Sequence, residues 1–98
     1  MDSDRIFQAL ADPTRREVLD RILRRSGQSL VELSDGLGMS RQAASKHIGI
    51  LIDAELVVVR HAGRQRLHYV NPLPMRAVLR QWLKKYERLR LSDLMPDT

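Results

Sequence analysis

Residues 40–47 read Ser-Arg-Gln-Ala-Ala-Ser-Lys-His, and within them Arg41, Gln42, Ser45 and Lys46 recur at i, i+1, i+4 and i+5. On a helix that spacing gathers the four on one face, and no acidic side chain shares it. Arginine and glutamine can pair with the edges of guanine and adenine, while serine and lysine suit phosphate oxygens. A second basic group, Arg60, His61, Arg64, Gln65 and Arg66, surrounds Gly63. Both groups are suited to a polyanion.

Other chemistries are poorly served. The chain has no cysteine, which excludes disulfides, thiolate metal centres and thiol redox sensing. Of the three histidines, His47 is read as a phosphate donor or a packed side chain. His61 and His68 could meet across a hairpin, yet two imidazoles without a carboxylate make a poor metal site. No serine is paired with a histidine and an acid, and no paired carboxylates stand out. An enzyme is therefore not expected, nor a cofactor, nor a bound metal.

Charge and size narrow the class. Seventeen Lys+Arg face twelve Asp+Glu, a net charge of +5, and fourteen of the seventeen are arginine. That balance fits nucleic acid, although the total alone equally fits a solvated arginine-rich surface. Ninety-eight residues make one domain, 1–98, whose thin core would gain from self-association. The longest apolar run is Leu56 to Val59, too short to cross a membrane, and no signal segment opens the chain. A soluble cytoplasmic protein is expected.

The elements that must position these groups follow from periodicity. A first helix over about 3–11 carries Ile6, Phe7 and Leu10 on one stripe. Asp12 caps a second helix with Pro13 in its first turn, and Val18, Leu19, Ile22 and Leu23 form its apolar face. Ser26-Gly27 ends it. Ser29 and Glu32 make a capping box for a third helix with Leu30, Leu33 and Leu37 inward. After Gly36-Leu37-Gly38-Met39, Ser40 caps a fourth helix to about Ala54, with Ala44, Ile48 and Leu51 buried. Gly49 costs this helix about 1 kcal/mol relative to alanine and is read as a tolerated defect rather than a point of close approach.

From Leu56 the pattern turns to β: Val57-Val58-Val59 and Leu67-His68-Tyr69-Val70 flank a turn at Ala62-Gly63, giving a hairpin over about 56–71. A last helix over about 74–91 carries Met75, Val78, Leu79, Trp82, Leu83, Tyr86, Leu89 and Arg90 on one stripe. Met75, Trp82 and Tyr86, on a stripe with leucines, read as dimer core rather than a ligand pocket. Asp93 to Thr98 reads as a frayed tail.

Two short helices, the second basic at its start, followed by an arginine-tipped hairpin, describe a winged helix-turn-helix: mainly α, five helices in the order α-α-α-α-β-β-α. The helix-turn-helix occupies about 29–54. Its second helix would enter the major groove of double-stranded DNA, and Arg64 of the wing would reach a minor groove or phosphates. Arg15 and Arg16, in the first turn of their helix, are the best of the remaining arginines for contact with DNA phosphates.

Several runs also resemble the ArsR-type winged-helix repressors. They are Ala9-Leu10-Ala11-Asp12-Pro13-Thr14-Arg15-Arg16, Val18-Leu19, Glu32-Leu33, Leu37-Gly38-Met39-Ser40, Ala44-Ser45-Lys46-His47-Ile48, Leu51 to Val57, Gly63-Arg64 and Tyr69-Val70. The resemblance spans residues 4–91. It implies a homodimer through the first and last helices, with Ile6, Phe7, Leu10, Met75, Val78, Leu79, Trp82, Leu83 and Tyr86 at the interface. It also implies that Ser40, Arg41, Gln42, Ser45, Lys46 and His47 face the major groove or its phosphates, with Arg60, Arg64 and Arg66 on the wing. A dimeric repressor on an imperfect palindrome would follow.

The chain departs from that family pattern twice. Glu55 stands where the family usually has glycine, which would strain a left-handed residue. The third helix lacks the thiols, and the arginine-rich last helix lacks the Asp and His pairs, with which many members bind metal. The alternatives are an effector-gated repressor with a non-metal ligand at the dimer interface, and a winged helix that binds protein instead of DNA.

Overall fold

The computed structural model describes residues 3–96. The elements run α1 (Ser3–Ala11), α2 (Pro13–Arg24), α3 (Leu30–Leu37), α4 (Arg41–Asp53), β1 (Val57–Ala62), β2 (Gln65–Val70), α5 (Pro72–Lys84) and α6 (Leu91–Leu94). The helix boundaries follow the capping residues. Asp12 accepts hydrogen bonds from the N–H groups of Thr14 (2.7 Å) and Arg15 (3.3 Å), with Pro13 filling the first turn. Ser29 and Glu32 form the reciprocal capping box at the start of α3. Ser40 accepts from the Ala43 N–H at 3.1 Å, and Asn71 from that of Leu73 at 3.3 Å.

The core is one cluster. Ile6 and Ala9 of α1, Val18, Leu19 and Ile22 of α2, Leu33 of α3, Ala44, Ile48 and Leu51 of α4, and Leu56, Val57 and Val78 close on one another. Because α4 packs on both α2 and α3 through its apolar stripe, its other side is left to solvent. Truncating a fully buried member such as Leu51 would cost about 2–5 kcal/mol.

The hairpin pairs Val57 with Val70 through Ala62 with Gln65, so the loop is Gly63-Arg64, one residue later than the pattern suggests. Gly63 has φ 61°, the positive value a two-residue hairpin turn needs at its first position. The wing is also tied to the body by a bridge that the alternation does not reveal. Gly27 N–H donates to His68 O (2.9 Å), and His68 N–H donates to Gln28 O (3.0 Å). His68 is buried, with Nδ1 2.8 Å from the same Gln28 carbonyl, and the Gln28 amide donates to the carbonyls of Arg21 and Arg25 at the end of α2.

Three expectations are corrected. Among the described residues there are six helices rather than five, since Leu91–Leu94 forms a short turn of helix within the expected tail; Asp97 and Thr98 lie outside the described residues. The last long helix runs 72–84, not 74–91. It starts earlier because Asn71 caps it and Pro72 suits its first position, and it ends in tight turns from Tyr86 N–H to Leu83 O and from Leu89 N–H to Tyr86 O. Beyond it no core supports further helix: every residue from Arg80 to Pro96 is exposed. Leu23, expected on the inner face of α2, is 64% exposed. Among the described residues no helix is long and apolar enough to cross a membrane.

Candidate nucleic-acid interface

The start of α4 is aimed by the turn before it. Gly38 takes φ 66°, its N–H donates to Asp35 O (3.2 Å), and the Met39 N–H donates to Ser34 O (3.1 Å), closing α3 in a left-handed cap. Buried Ala44, Ile48 and Leu51 then fix the rotation of α4 about its axis. Ser40, Arg41, Gln42, Ser45 and Lys46 are consequently exposed, together with the free N–H groups of the helix start. No ion pair among the described residues engages Arg41 or Lys46.

The wing supplies the second group. Arg60, Arg64 and Arg66 are all exposed, and none is held in an ion pair among the described residues. Helix and wing meet at a cleft of about 330 Å3, with Ser45, Ile48, Gly49, Ile52 and Asp53 of α4 on one wall and Arg66 and His68 of β2 on the other, over Leu30. Of the sequence-predicted residues the cleft brings together Ser45 and Arg66, whereas Arg60, paired with Leu67, lies on the other face of the hairpin from Arg66.

His47 stands apart from that group. It is half-buried, and its Nδ1 is enclosed without a hydrogen-bond partner among the described residues. Its influence falls on Asp12. Burial works to raise the Asp12 carboxyl, but the N–H groups of Thr14 and Arg15, the Arg15 guanidinium and His47 together hold it below its ordinary value.

Arg15 and Arg16, expected to be available for phosphate, are committed elsewhere. Arg15 donates to the carbonyls of Ala9 (3.0 Å) and Gln8 (2.7 Å), and Arg16 to those of Leu10 (2.6 Å) and Ala11 (3.2 Å). Both guanidinium groups close the C-terminus of α1, where unpaired carbonyls and the helix dipole favour cations. The Asp-Pro-Thr-Arg-Arg run is a joint between two helices.

The histidine pair does not form. The register sets His61 opposite Arg66 and His68 opposite Val59, and His61 is exposed while His68 is buried. Among the described residues no group of three or more His, Cys, Asp or Glu side chains could hold a metal ion.

A second surface is apolar. Trp82, Leu83, Tyr86 and Leu89 are 47–49% exposed. Phe7 meets Trp82 edge-on at 6.0 Å between centroids, and Tyr86 lies 5.4 Å from Trp82. Two residues expected at a dimer interface are instead spent on the protomer: Ile6 is 1% exposed and Val78 8%. Phe7, Leu10, Met75 and Leu79 are half-buried beside them.

A helix pair joined by a left-handed turn, its second helix exposed and basic, followed by an arginine-tipped hairpin, defines a winged helix-turn-helix DNA-binding protein. The comparisons with known proteins agree. The helix-turn-helix domain family matches residues 10–60. The Bacillus subtilis (strain 168) HTH-type transcriptional regulator YuzN, itself uncharacterized, is 36% identical over 89 residues, covering 85% of this chain and 97% of its own. The transcriptional repressor SdpR of the same organism is 33% identical over 65% of this chain and 69% of its own. A crystal structure of an ArsR family transcriptional regulator superposes with a TM-score of 0.74 at 32% identity, covering 95% of this chain and 92% of that one. The chain belongs to the ArsR family of helix-turn-helix transcriptional regulators, which are DNA-binding proteins and not enzymes.

Proposed function

We propose that the protein is a homodimeric transcriptional repressor that binds an imperfect palindromic operator without thiolate metal sensing, acting in the cytoplasm. The observation that carries the DNA contact is the shared cleft, which sets the exposed face of α4 beside Arg66 of the wing. In this reading Arg41 and Gln42 read base edges, while Ser40, Ser45, Lys46, Arg60, Arg64 and Arg66 hold phosphates, and His47 steadies the helix from behind.

The dimer is supported by what the protomer leaves uncovered. Its radius of gyration is 17.2 Å, against about 13 Å for a compact 100-residue domain. The excess fits a C-terminal segment not folded onto its own body, with Leu89, Leu91, Leu94 and Met95 exposed along with Trp82, Leu83 and Tyr86. Exposed apolar side chains in such number mark an interface. Two copies would present their recognition helices to successive major grooves about 34 Å apart. Repression by occluding a promoter is consistent with the similarity to SdpR.

Binding of the purified protein to duplex DNA across a salt series, with selection from genomic fragments, tests the reading. A steep fall of log K with log salt and recovery of two-fold related half-sites are expected. A slope near zero, or no binding at low salt, would overturn it in favour of a protein-binding winged helix.

A further inference from the structure

The chain contains five glycines, and three have a reason in the backbone, since Gly27, Gly38 and Gly63 take positive φ. A Cβ on Gly36 would meet only the flexible Arg21 side chain, with Nη1 at 2.7 Å. Gly49 has no such reason. It lies inside α4, and a Cβ there would meet nothing within 4 Å. Alanine at this position would strengthen the helix at no steric cost to the chain. The space above Gly49 is therefore open to a group from outside the chain.

The place is specific. Arg41, Ser45, Gly49 and Asp53 follow one another at intervals of four, so one stripe of α4 runs from its basic start along the wall of the cleft, with Arg66 opposite. The cleft is the continuation of the basic surface, with an apolar floor and a guanidinium at its edge, and that combination matches a deoxyribose and its phosphate. Asp53 repels phosphate at the far end and sets where a strand must leave the helix.

We propose that the cleft between α4 and β2 seats one sugar–phosphate strand of the duplex, and that Gly49 is the point of close approach that admits it. The proposal rests on the DNA-binding reading above and assigns it a contact made by the absence of a side chain. It reverses the expectation that this glycine is a tolerated defect.

Gly49→Ala separates the two effects, because folding and binding should move in opposite directions. Its melting temperature should rise by about 4–8 °C. Its affinity for duplex DNA should fall roughly tenfold on specific and mixed sequences alike, as a methyl group crowds a packed contact. The salt slope should stay unchanged, since no charge is removed. Unchanged or tighter binding would overturn the proposal while leaving the DNA reading intact. Weaker binding with a lowered melting temperature would overturn it too, by showing that the methyl group damages the fold. If the unsubstituted protein fails to bind duplex DNA, the reading beneath the proposal fails first.

Discussion

Replacing Glu55 with glycine should stabilise the protein. Glu55 has φ 63°, and among the described residues it is the sole non-glycine with positive φ. It holds that conformation because α4 ends in a six-to-one cap: the Leu56 N–H donates to Leu51 O (2.9 Å) and the Glu55 N–H to Ile52 O (2.9 Å). Leu51 and Leu56 are both fully buried, so the core enforces the turn. A left-handed conformation costs a residue bearing Cβ about 1–2 kcal/mol, and the greater freedom of glycine in the unfolded chain returns about 0.5–1 kcal/mol. The net gain is about 0.5–1 kcal/mol, or a melting temperature raised by about 2–8 °C. The hydrogen bond from Asn71 Nδ2 to the Glu55 carbonyl (3.2 Å) uses the main chain and survives. Urea unfolding at fixed protomer concentration measures it, since association shifts apparent stability. Glu55→Ala is the control. It removes the charge from the negative end of the helix, worth a few tenths of a kcal/mol, but keeps the Cβ. Equal midpoints for Glu55→Gly and Glu55→Ala would refute the strain argument, as would any loss of stability in Glu55→Gly.

Three further outcomes test the interface, the dimer and the helix joint. Arg41→Ala or Gln42→Ala should each cost about 1–3 kcal/mol of operator binding and relax preference at one base position; uniform weakening on all sequences would make them phosphate contacts. Trp82→Ala should shift the protein from dimer to monomer in light scattering at micromolar concentration, and a dimer that persists would place the interface elsewhere. Because the folded Asp12 carboxyl is held below its ordinary value, its contribution is present above the unfolded value of about 3.9 and is lost as pH falls through the lower folded value. Asp12→Asn should therefore melt lower than the parent at pH 7 and lose less on acidification, as measured by calorimetry from pH 7 to 3; parallel pH curves would contradict that account.

Local chemistry made much of the fold legible. Asp12, Ser29 and Ser40 each cap the helix that follows, and the period-3.6 stripes found the buried residues of α1 to α4 except Ala9 and Ser34. Long-range pairing was not legible. Nothing in Gly27-Gln28 or in Leu67-His68-Tyr69 announces that they bridge, because the bond joins main chains forty residues apart. The end of α5 escapes the sequence pattern for a related reason. The stripe from Met75 to Leu89 has helical spacing, but in the single protomer nothing covers its second half. Composition also could not separate the arginines that close a helix from those that face solvent. Arg15, Arg16, Arg41 and Arg64 are alike in sequence terms and differ only in whether carbonyls lie within reach.

That distinction sharpens the meaning of the net charge of +5. Arg15, Arg21, Arg25 and Arg90 pair with Asp12, Glu17, Glu32 and Asp93, and Arg16 is held by carbonyls. Arg41, Lys46, Arg60, Arg64 and Arg66 have no such partners among the described residues, and all lie on α4 or the wing. The surplus is not confined to that surface, since Arg24, Arg76, Arg80, Lys84, Lys85 and Arg88 are also exposed and outside any ion pair among the described residues; what sets the first five apart is their place on α4 and the wing. The same five bound the salt test. If each met one phosphate, a dimer would neutralise about ten, and the slope of log K against log salt could reach about −9 but not exceed it. A steeper slope would require cations outside this surface, with the basic face of α5, Arg76 and Arg80, the next place to look.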